Sequence, residues 1–510
     1  MNLATRVLSV LLTVYFCGIL PAAAKNEAIV DLDSTHQRIR GFGGANILPW
    51  RPDMTDSEIR TAFGIEEGQL GLSMLRLMID PDKNNWSLNV RTAQKAHEMG
   101  VLIFASPWNA PASMLQTVNG VKKVKPEHYE DYAEHLNEFV TFMESRGVPI
   151  YAVSVQNEPD YDGGWTQWSA SELLAFVRDY ASLLITRVIA PESFQFRRAL
   201  SDPILNDPIA CENVDIIGGH IYGAGLAPYP LAKSKGKEVW MTEHYTDSQN
   251  SGNLWPLALE VGKEMHEVMC ADMNAYVWWY IVRYYGPISD GTMDSGKKGE
   301  MTKRGYVMSH FSRFIRPGYR RLECTPRPQN SVYTSAYIDS AFTRVVLVAV
   351  NTSAFAKSQT FIFRDGRIER LIPYITSENA NCERKQEISL SSDTLKIELA
   401  ARSIMTLVSD GTISLGVRST KTMRDFQLLP NYPNPFNAET AIRFRIPRRS
   451  DVALTIYNLR GEVLQKISCG IYEAGEHTIP FEAACLPSGI YLYRLTAGNF
   501  SALGRMVLAR

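Results

Sequence analysis

The sequence predicts an α/β chain: a (βα)8 TIM barrel with an associated side β-sandwich, followed by a small C-terminal β-sandwich. Three observations predict it. Between about residues 38 and 318, short apolar runs alternate with helical patterns, as in repeated βα units. After Pro317 that alternation gives way to stretches rich in β-branched and aromatic residues with turn residues between them. Residues 409–425 then lack apolar periodicity and read as a linker before a last group of strands.

At the N-terminus, Arg6 precedes an apolar run from Val7 to Leu20, followed by Pro21 and the small residues Ala22, Ala23 and Ala24. This is the pattern of a signal peptide cut after Ala24, and the run is shorter than the roughly 20 residues that span a bilayer. Barrel strands are expected near residues 38–44, 72–77, 101–106, 151–156, 188–191, 214–220, 238–243 and 275–281. Between them, Tyr129, Tyr132, Leu136, Phe139, Val140 and Met143 recur at helical spacing, with Gly147 as a stop. Ser169 and Glu172 form a capping-box pattern before Leu173, Val177, Tyr180, Leu184 and Ile185. A doubly wound open sheet is the alternative, but no glycine-rich phosphate loop follows the first strand. The side unit takes SVYTSAYI, TRVVLVAV, SQTFIFR and LKIELAA, and the strand Ala28 to Leu32 is placed to complete it. The expected units are therefore 1–24 signal peptide, 25–37 with 319–408 side unit, 38–318 barrel, 409–425 linker and 426–510 C-terminal sandwich.

The 510 residues carry a formal net charge of -1, with 45% hydrophobic and 21% charged residues. No global field attracts a polyanion, so a nucleic-acid partner is not expected. Removing Cys17 with the signal peptide leaves Cys211, Cys270, Cys324, Cys382, Cys469 and Cys485, too few for a disulfide scaffold of this size. Cys469 and Cys485 share one small unit and are a candidate pair; free buried thiols are the other reading. No cysteine or histidine cluster has zinc spacing, so neither a metal nor a cofactor is expected.

Two acids stand out. VSVQNEPD ends the fourth expected strand and VWMTEHY the seventh, which brings Glu158 and Glu243 to the barrel mouth, where (βα)8 enzymes keep their chemistry. A carboxylate ending an apolar strand is costly to desolvate without a partner or a function. Two of them facing each other are what hydrolysis of a glycosidic bond requires, about 5 to 5.5 Å apart where configuration is retained.

Asn157, Glu158 and Pro159 together with Glu243 resemble the large clan of retaining barrel glycosidases. More narrowly, GFGGANILPW, LRLMIDPDKNNW, FASPWNAPASM, SVQNEPDYDGGWTQW, WMTEHY and YVWWYIVRYYGP resemble glycoside hydrolase family 30, subfamily 8, a likeness running from about Ile29 to Val408. It implies a glucuronoxylan endo-1,4-β-xylanase with Glu158 as acid/base and Glu243 as nucleophile. It also implies that Arg283 grips a glucuronate carboxylate, flanked by Trp279 and Tyr285, with Ser251 as a further contact. Arg76, His220 and Tyr222 are then supports of the carboxylates. Trp86, Trp108, Trp165 and Trp168 follow expected strands, and flat aromatics suit the apolar faces of sugar rings, with core packing as the alternative for each.

Val282 stands where a second basic residue is expected, Thr246 where an aromatic is common, and the segment from Ile288 to Thr302 looks extended. Rival readings are a glucuronate-independent xylanase, another family 30 β-glycosidase, and a non-catalytic polysaccharide-binding surface protein. The tail, with NYPNPFNAETAIRFRIP and SGIYLYRL, resembles the C-terminal sorting domain of the type IX secretion system, with a carbohydrate-binding module as the alternative. The expected protein is a secreted or surface monomer whose partners are glucuronate-bearing xylan and the type IX machinery.

Overall fold

The computed structural model describes residues 26–509 apart from 247, 411–412, 416–425, 447–448, 474, 484–485 and 499. The signal peptide, Cys485 and with it the candidate disulfide, and most of the linker lie outside the described residues. The chain divides into two compact units, Met1–Leu415 and Gly416–Arg510.

In the first unit, eight parallel strands close into a barrel in sequence order: Gly41–Ala45, Met74–Ile79, Leu102–Pro107, Ala152–Ser154, Arg187–Ser193, Ile216–His220, Glu238–His244 and Ala275–Trp278. Below they are called the first to the eighth. Because both faces of such a strand are covered, MLRLMI in the second is buried at every residue. The interior is filled by Met74, Phe104, Ala152, Ile189, Ile216, Trp240, Ala275 and Val277, supplied by the other seven strands. The first strand contributes glycine instead, since a Cβ on Gly43 would lie 2.7 Å from Met74 Cβ.

Helix Tyr129–Ser145 buries Tyr132, Leu136, Phe139, Val140 and Met143, the stripe its spacing predicts, and the chain leaves it through Gly147 at φ +75. Helix Ala170–Asp179 opens with the predicted capping box: the Glu172 amide donates to Ser169 Oγ, and the Ser169 amide donates to Glu172 Oε2 at 2.7 Å. Its predicted continuation to Ile185 does not form. A single 3-10 turn, Ala181–Leu183, follows and leads into the fifth strand.

The side unit is one ten-stranded sheet in which Glu27–Arg38 lies between Arg320–Cys324, antiparallel, and Lys357–Arg364, parallel. Its strand Val345–Asn351 is apolar on both faces because both are covered. Val346, Val348 and Val350 join the core shared with the barrel helices, whereas Val345, Leu347 and Ala349 join the side unit's own core. This continuous core ties barrel and side sheet into one unit. The expected linker is corrected at its start: Ser409 ends a strand, and Ile413–Leu415 pairs with Gly366–Ile368. Ile413 packs against the side core, an apolar contact that a window dominated by polar residues concealed.

The second unit is a β-sandwich. A three-stranded sheet (Gln427–Leu428, Glu439–Ile446, Gly475–Glu482) and a four-stranded one (Ser450–Tyr457, Val463–Tyr472, Gly489–Ala497, Phe500–Leu508) enclose a core that includes Ile442, Phe444, Val452, Leu454 and Leu495.

Candidate active site

Glu158 follows the fourth strand in a left-handed backbone conformation, φ 43, and Glu192 in the fifth has φ 56. Non-glycine residues hold this conformation at a cost of about 1–3 kcal/mol, so the surrounding structure must enforce it. For Glu158 the enforcement includes its amide bond to the Glu192 carbonyl, 3.0 Å.

One oxygen of Glu158, one of Glu243 and a nitrogen of His220 lie within 4.8 Å of one another, all three side chains being buried. His220 Nδ1 is 2.8 Å from Glu158 Oε1. Glu243 accepts from the Tyr222 hydroxyl at 2.9 Å and from Arg76 Nη1. Arg76, fully buried in the second strand, also donates through Nη2 to Asn157 Oδ1 at 2.6 Å and Glu192 Oε1 at 2.9 Å. Its guanidinium lies over the Trp108 ring, 4.7 Å from the centroid. The Glu158, Glu243 and His220 atoms are spaced as a cation site would be. Yet both Glu243 oxygens already accept protein donors and His220 bonds Glu158, so the positive partners come from the protein itself.

The electrostatics sort these groups. Burial raises the Glu158 pKa and the Glu243 charge adds to it, against the lowering pull of His220. Burial also disfavours a charged Glu192, but Arg76 and His220 prevail and bring it down to about 2. For His220 burial opposes the cation, yet Glu243, Glu158 and Glu192 raise it to about 9. One barrel mouth therefore holds a carboxyl pushed toward its protonated form, Glu158, beside a carboxylate, Glu192, pushed the other way.

Aromatic rings wall the mouth. Tyr161 stacks on Phe194 at 4.4 Å and Phe194 on Tyr222 at 5.2 Å. Trp108 and Trp279 lie 5.8 Å apart, and Trp50, 47% exposed, meets both edge-on. Trp165 packs with the cluster of Trp108 and Tyr280. Two expectations are corrected here. Trp86 is 3% exposed among His135, Phe139 and Phe142, and Trp168 is 4% exposed against Tyr129, Tyr132 and Phe176. Both are core residues under the helices rather than cleft walls, with their ring N–H groups bonded to Asp80 and Gln156.

After the eighth strand, Arg283 lies over the Tyr284 and Tyr285 rings and donates through Nη1 to Asp290 at 3.1 Å. Tyr285 itself is buried and stacks on Tyr245, 5.1 Å away. Ser251 donates to the Asp294 carbonyl, so the segment 288–302 reaches both Arg283 and Ser251. Sequence reasoning missed Glu192, Trp50, Arg51 and Asp290. Glu192 closes the apolar run RVIAPES as Glu158 and Glu243 close theirs, so the same signal could have found it.

A closed barrel with two buried carboxyl groups facing each other at its C-terminal mouth defines a barrel glycoside hydrolase. Comparison with known proteins agrees. The chain is 44% identical over 403 residues to the glucuronoxylanase XynC of Bacillus subtilis (strain 168), covering 77% of this chain and 93% of that protein. A GH30 endoxylanase from Clostridium papyrosolvens C71 superposes with a TM-score of 0.69 at 38% identity, over 76% of this chain and all of that one. The family 30 subfamily 8 xylanase Xyn30A from Clostridium acetobutylicum gives a TM-score of 0.69 at 35% identity, with the same coverage. The chain belongs to glycoside hydrolase family 30, subfamily 8. Residues 431–509 match the family model for the secretion system C-terminal sorting domain, which marks the chain for export to the cell surface or beyond by the type IX route.

Proposed function

We propose that the protein is a retaining endo-1,4-β-xylanase that cleaves glucuronoxylan at positions set by (4-O-methyl)glucuronic acid branches. The observation that carries the reading is the pair Glu158 and Glu243, with oxygens within 4.8 Å across the mouth and unlike surroundings. In the first step Glu243 attacks the anomeric carbon while the Glu158 proton passes to the leaving oxygen, which gives a glycosyl ester on Glu243. Arg76 and Tyr222 each donate to one Glu243 oxygen, which fixes the nucleophile in direction. In the second step Glu158, now a carboxylate next to His220, takes a proton from water, and the hydroxide oxygen displaces Glu243 with net retention. Asn157 Nδ2 is buried with no hydrogen-bond partner among the described residues, a donor suited to a sugar hydroxyl. Trp50, Trp165 and Trp279 offer faces to xylose rings, backed by Trp108, which is itself buried under them and Arg76, and Arg283 is the two-pronged donor for the branch carboxylate, beside Tyr285 and Ser251. The glucuronoxylanase and xylanase relatives support the same substrate class. We further propose division into a signal peptide, the barrel with its side unit, and the exported tail, acting as a monomer without metal or cofactor.

Mass analysis of products from glucuronoxylan tests the reading. The expected result is one uronic acid per oligosaccharide at a fixed position from the wild type, and at least about a 10²-fold loss of turnover in Glu243→Gln. Turnover of Glu243→Gln above a few per cent of wild type, or products unrelated to the branches, would overturn it.

A further inference from the structure

The loop after the first strand and the segment after the eighth meet over a cavity of about 160 Å³. Arg51 comes from one side, Arg283 and Asp290 from the other. Asp290 Oδ2 is shared: it accepts from Arg283 Nη1 at 3.1 Å and from Arg51 Nη2 at 3.3 Å. Its other oxygen is fixed within its own loop by the Thr292 hydroxyl at 2.6 Å and amide at 3.1 Å. Asp290 is thereby held between the two guanidinium groups, with one carboxylate oxygen divided between them. The pair with Arg283 uses Nη1 alone. No protein acceptor among the described residues bonds the Arg283 Nε–Nη2 edge, which is the edge a second carboxylate would take bidentately.

The neighbour of Arg283 in sequence, Val282, is apolar, so Arg51 supplies the second guanidinium at Asp290 from the opposite loop. The cost of placing it there is visible: Arg51 Nε is buried and makes no hydrogen bond among the described residues. Charge decides what this arrangement does. Within this bonded triad two guanidinium groups share one carboxylate; of the cavity's other charged lining, Asp53 bonds Arg91 and Thr92, Glu58 is turned back to Thr55 at its own helix start, and Lys298 adds a further cation. Arg283 with Asp290 alone would be neutral and attract a uronate weakly.

We propose that Arg51 determines specificity for uronate-bearing substrate by sharing the Asp290 carboxylate, which keeps the Arg283 charge available to the branch. Arg51 and Asp290 are positioning residues in this scheme, and the scheme rests on the reading of Arg283 given above. Its readout is the ratio of kcat/KM on glucuronoxylan to kcat/KM on unsubstituted linear xylan. Damage to the shape of the mouth would lower both and leave the ratio unmoved. Arg51→Ala is expected to lower the ratio about fivefold or more, because Asp290 then neutralises Arg283. Adding Asp290→Asn to Arg51→Ala removes the internal competitor, and the ratio is expected to recover to within about twofold of wild type. A ratio unchanged in Arg51→Ala, or one that the second substitution fails to restore, would overturn the proposal. Arg283→Ala separates the two levels. If it too leaves the ratio unchanged, the uronate reading itself fails; if it collapses the ratio while Arg51→Ala does not, only the Arg51 step fails.

Discussion

Arg76 has no exposed surface and donates to two carboxyl groups and a carboxamide, so its charge organises the mouth rather than decorating it. Glu192 never reaches the reacting position in the proposed scheme, yet it holds both Arg76 and the neighbourhood of His220, from which its Oε1 is 3.7 Å. Their perturbed titrations set the pH range of the fold. Glu192 falls from 4.5 to about 2, so its contribution is present above 4.5 and is lost as pH falls toward 2. His220 rises from 6.5 to about 9, so its contribution is complete below 6.5 and is lost as pH climbs through 9. Stability of the catalytic unit is therefore expected to plateau between about pH 4.5 and 6.5 and to fall on either side, by on the order of a few kcal/mol at each end. Thermal unfolding from pH 2.5 to 10 checks this, and Glu192→Gln should flatten the acid limb; an unaltered limb would place the acid sensitivity elsewhere. The residues legible in the sequence were those whose own strand announced them, Glu158 and Glu243 at the ends of apolar runs. Arg51 and Asp290 were not legible, because their meeting depends on two loops separated by 239 positions.

At the scale of the element, the eight strands and the helix Tyr129–Ser145 follow from period and burial, since each is long enough or apolar enough for its pattern to stand out. The tryptophans were harder. A Trp after a strand can turn outward to the cleft or downward under the next helix, and the sequence fixes its place in the chain but not that choice. The structure separates them: Trp86 packs against His135, Phe139 and Phe142 of helix Tyr129–Ser145, whereas Trp50 leans on Trp108 and Trp279 with half its surface open. The two should respond to truncation in opposite ways. Trp86→Ala is expected to lose about 3–5 kcal/mol of stability through the cavity it leaves. Trp50→Ala is expected to change stability by no more than about 0.5 kcal/mol while lowering kcat/KM on xylan roughly threefold to tenfold. Denaturant unfolding beside xylanase assays distinguishes them, and a Trp50→Ala enzyme of undiminished activity would remove that ring from the substrate path.

For the whole molecule, the decisive fact is that its apolar cores respect the division into two units. The barrel and the side sheet share one core through Val346, Val348 and Val350, so neither can be removed without exposing the other. The C-terminal sandwich has its own core, from Phe436 to Leu508, built mainly from its own strands. Length and the shift to β-rich sequence made two or three units legible beforehand, but not that the side sheet is inseparable from the barrel, because strand Val345–Asn351 reads as uniformly apolar whichever partners cover it. Hydrolysis in the proposed scheme draws only on residues before Leu415, and the sorting tail serves export. A chain ending at Leu415 is therefore expected to fold, to unfold at the wild-type temperature for the catalytic unit, and to cleave glucuronoxylan with kcat/KM within about twofold of the full chain. A chain ending before strand Val345–Asn351 is expected to lose both properties, because its barrel helices Leu257–Cys270 and Lys303–Ser312 would present their apolar faces to water. Calorimetry and product release on the two truncated proteins decide the matter, and a deficit in the Leu415 form would mean that the tail supports the catalytic unit as well as its export.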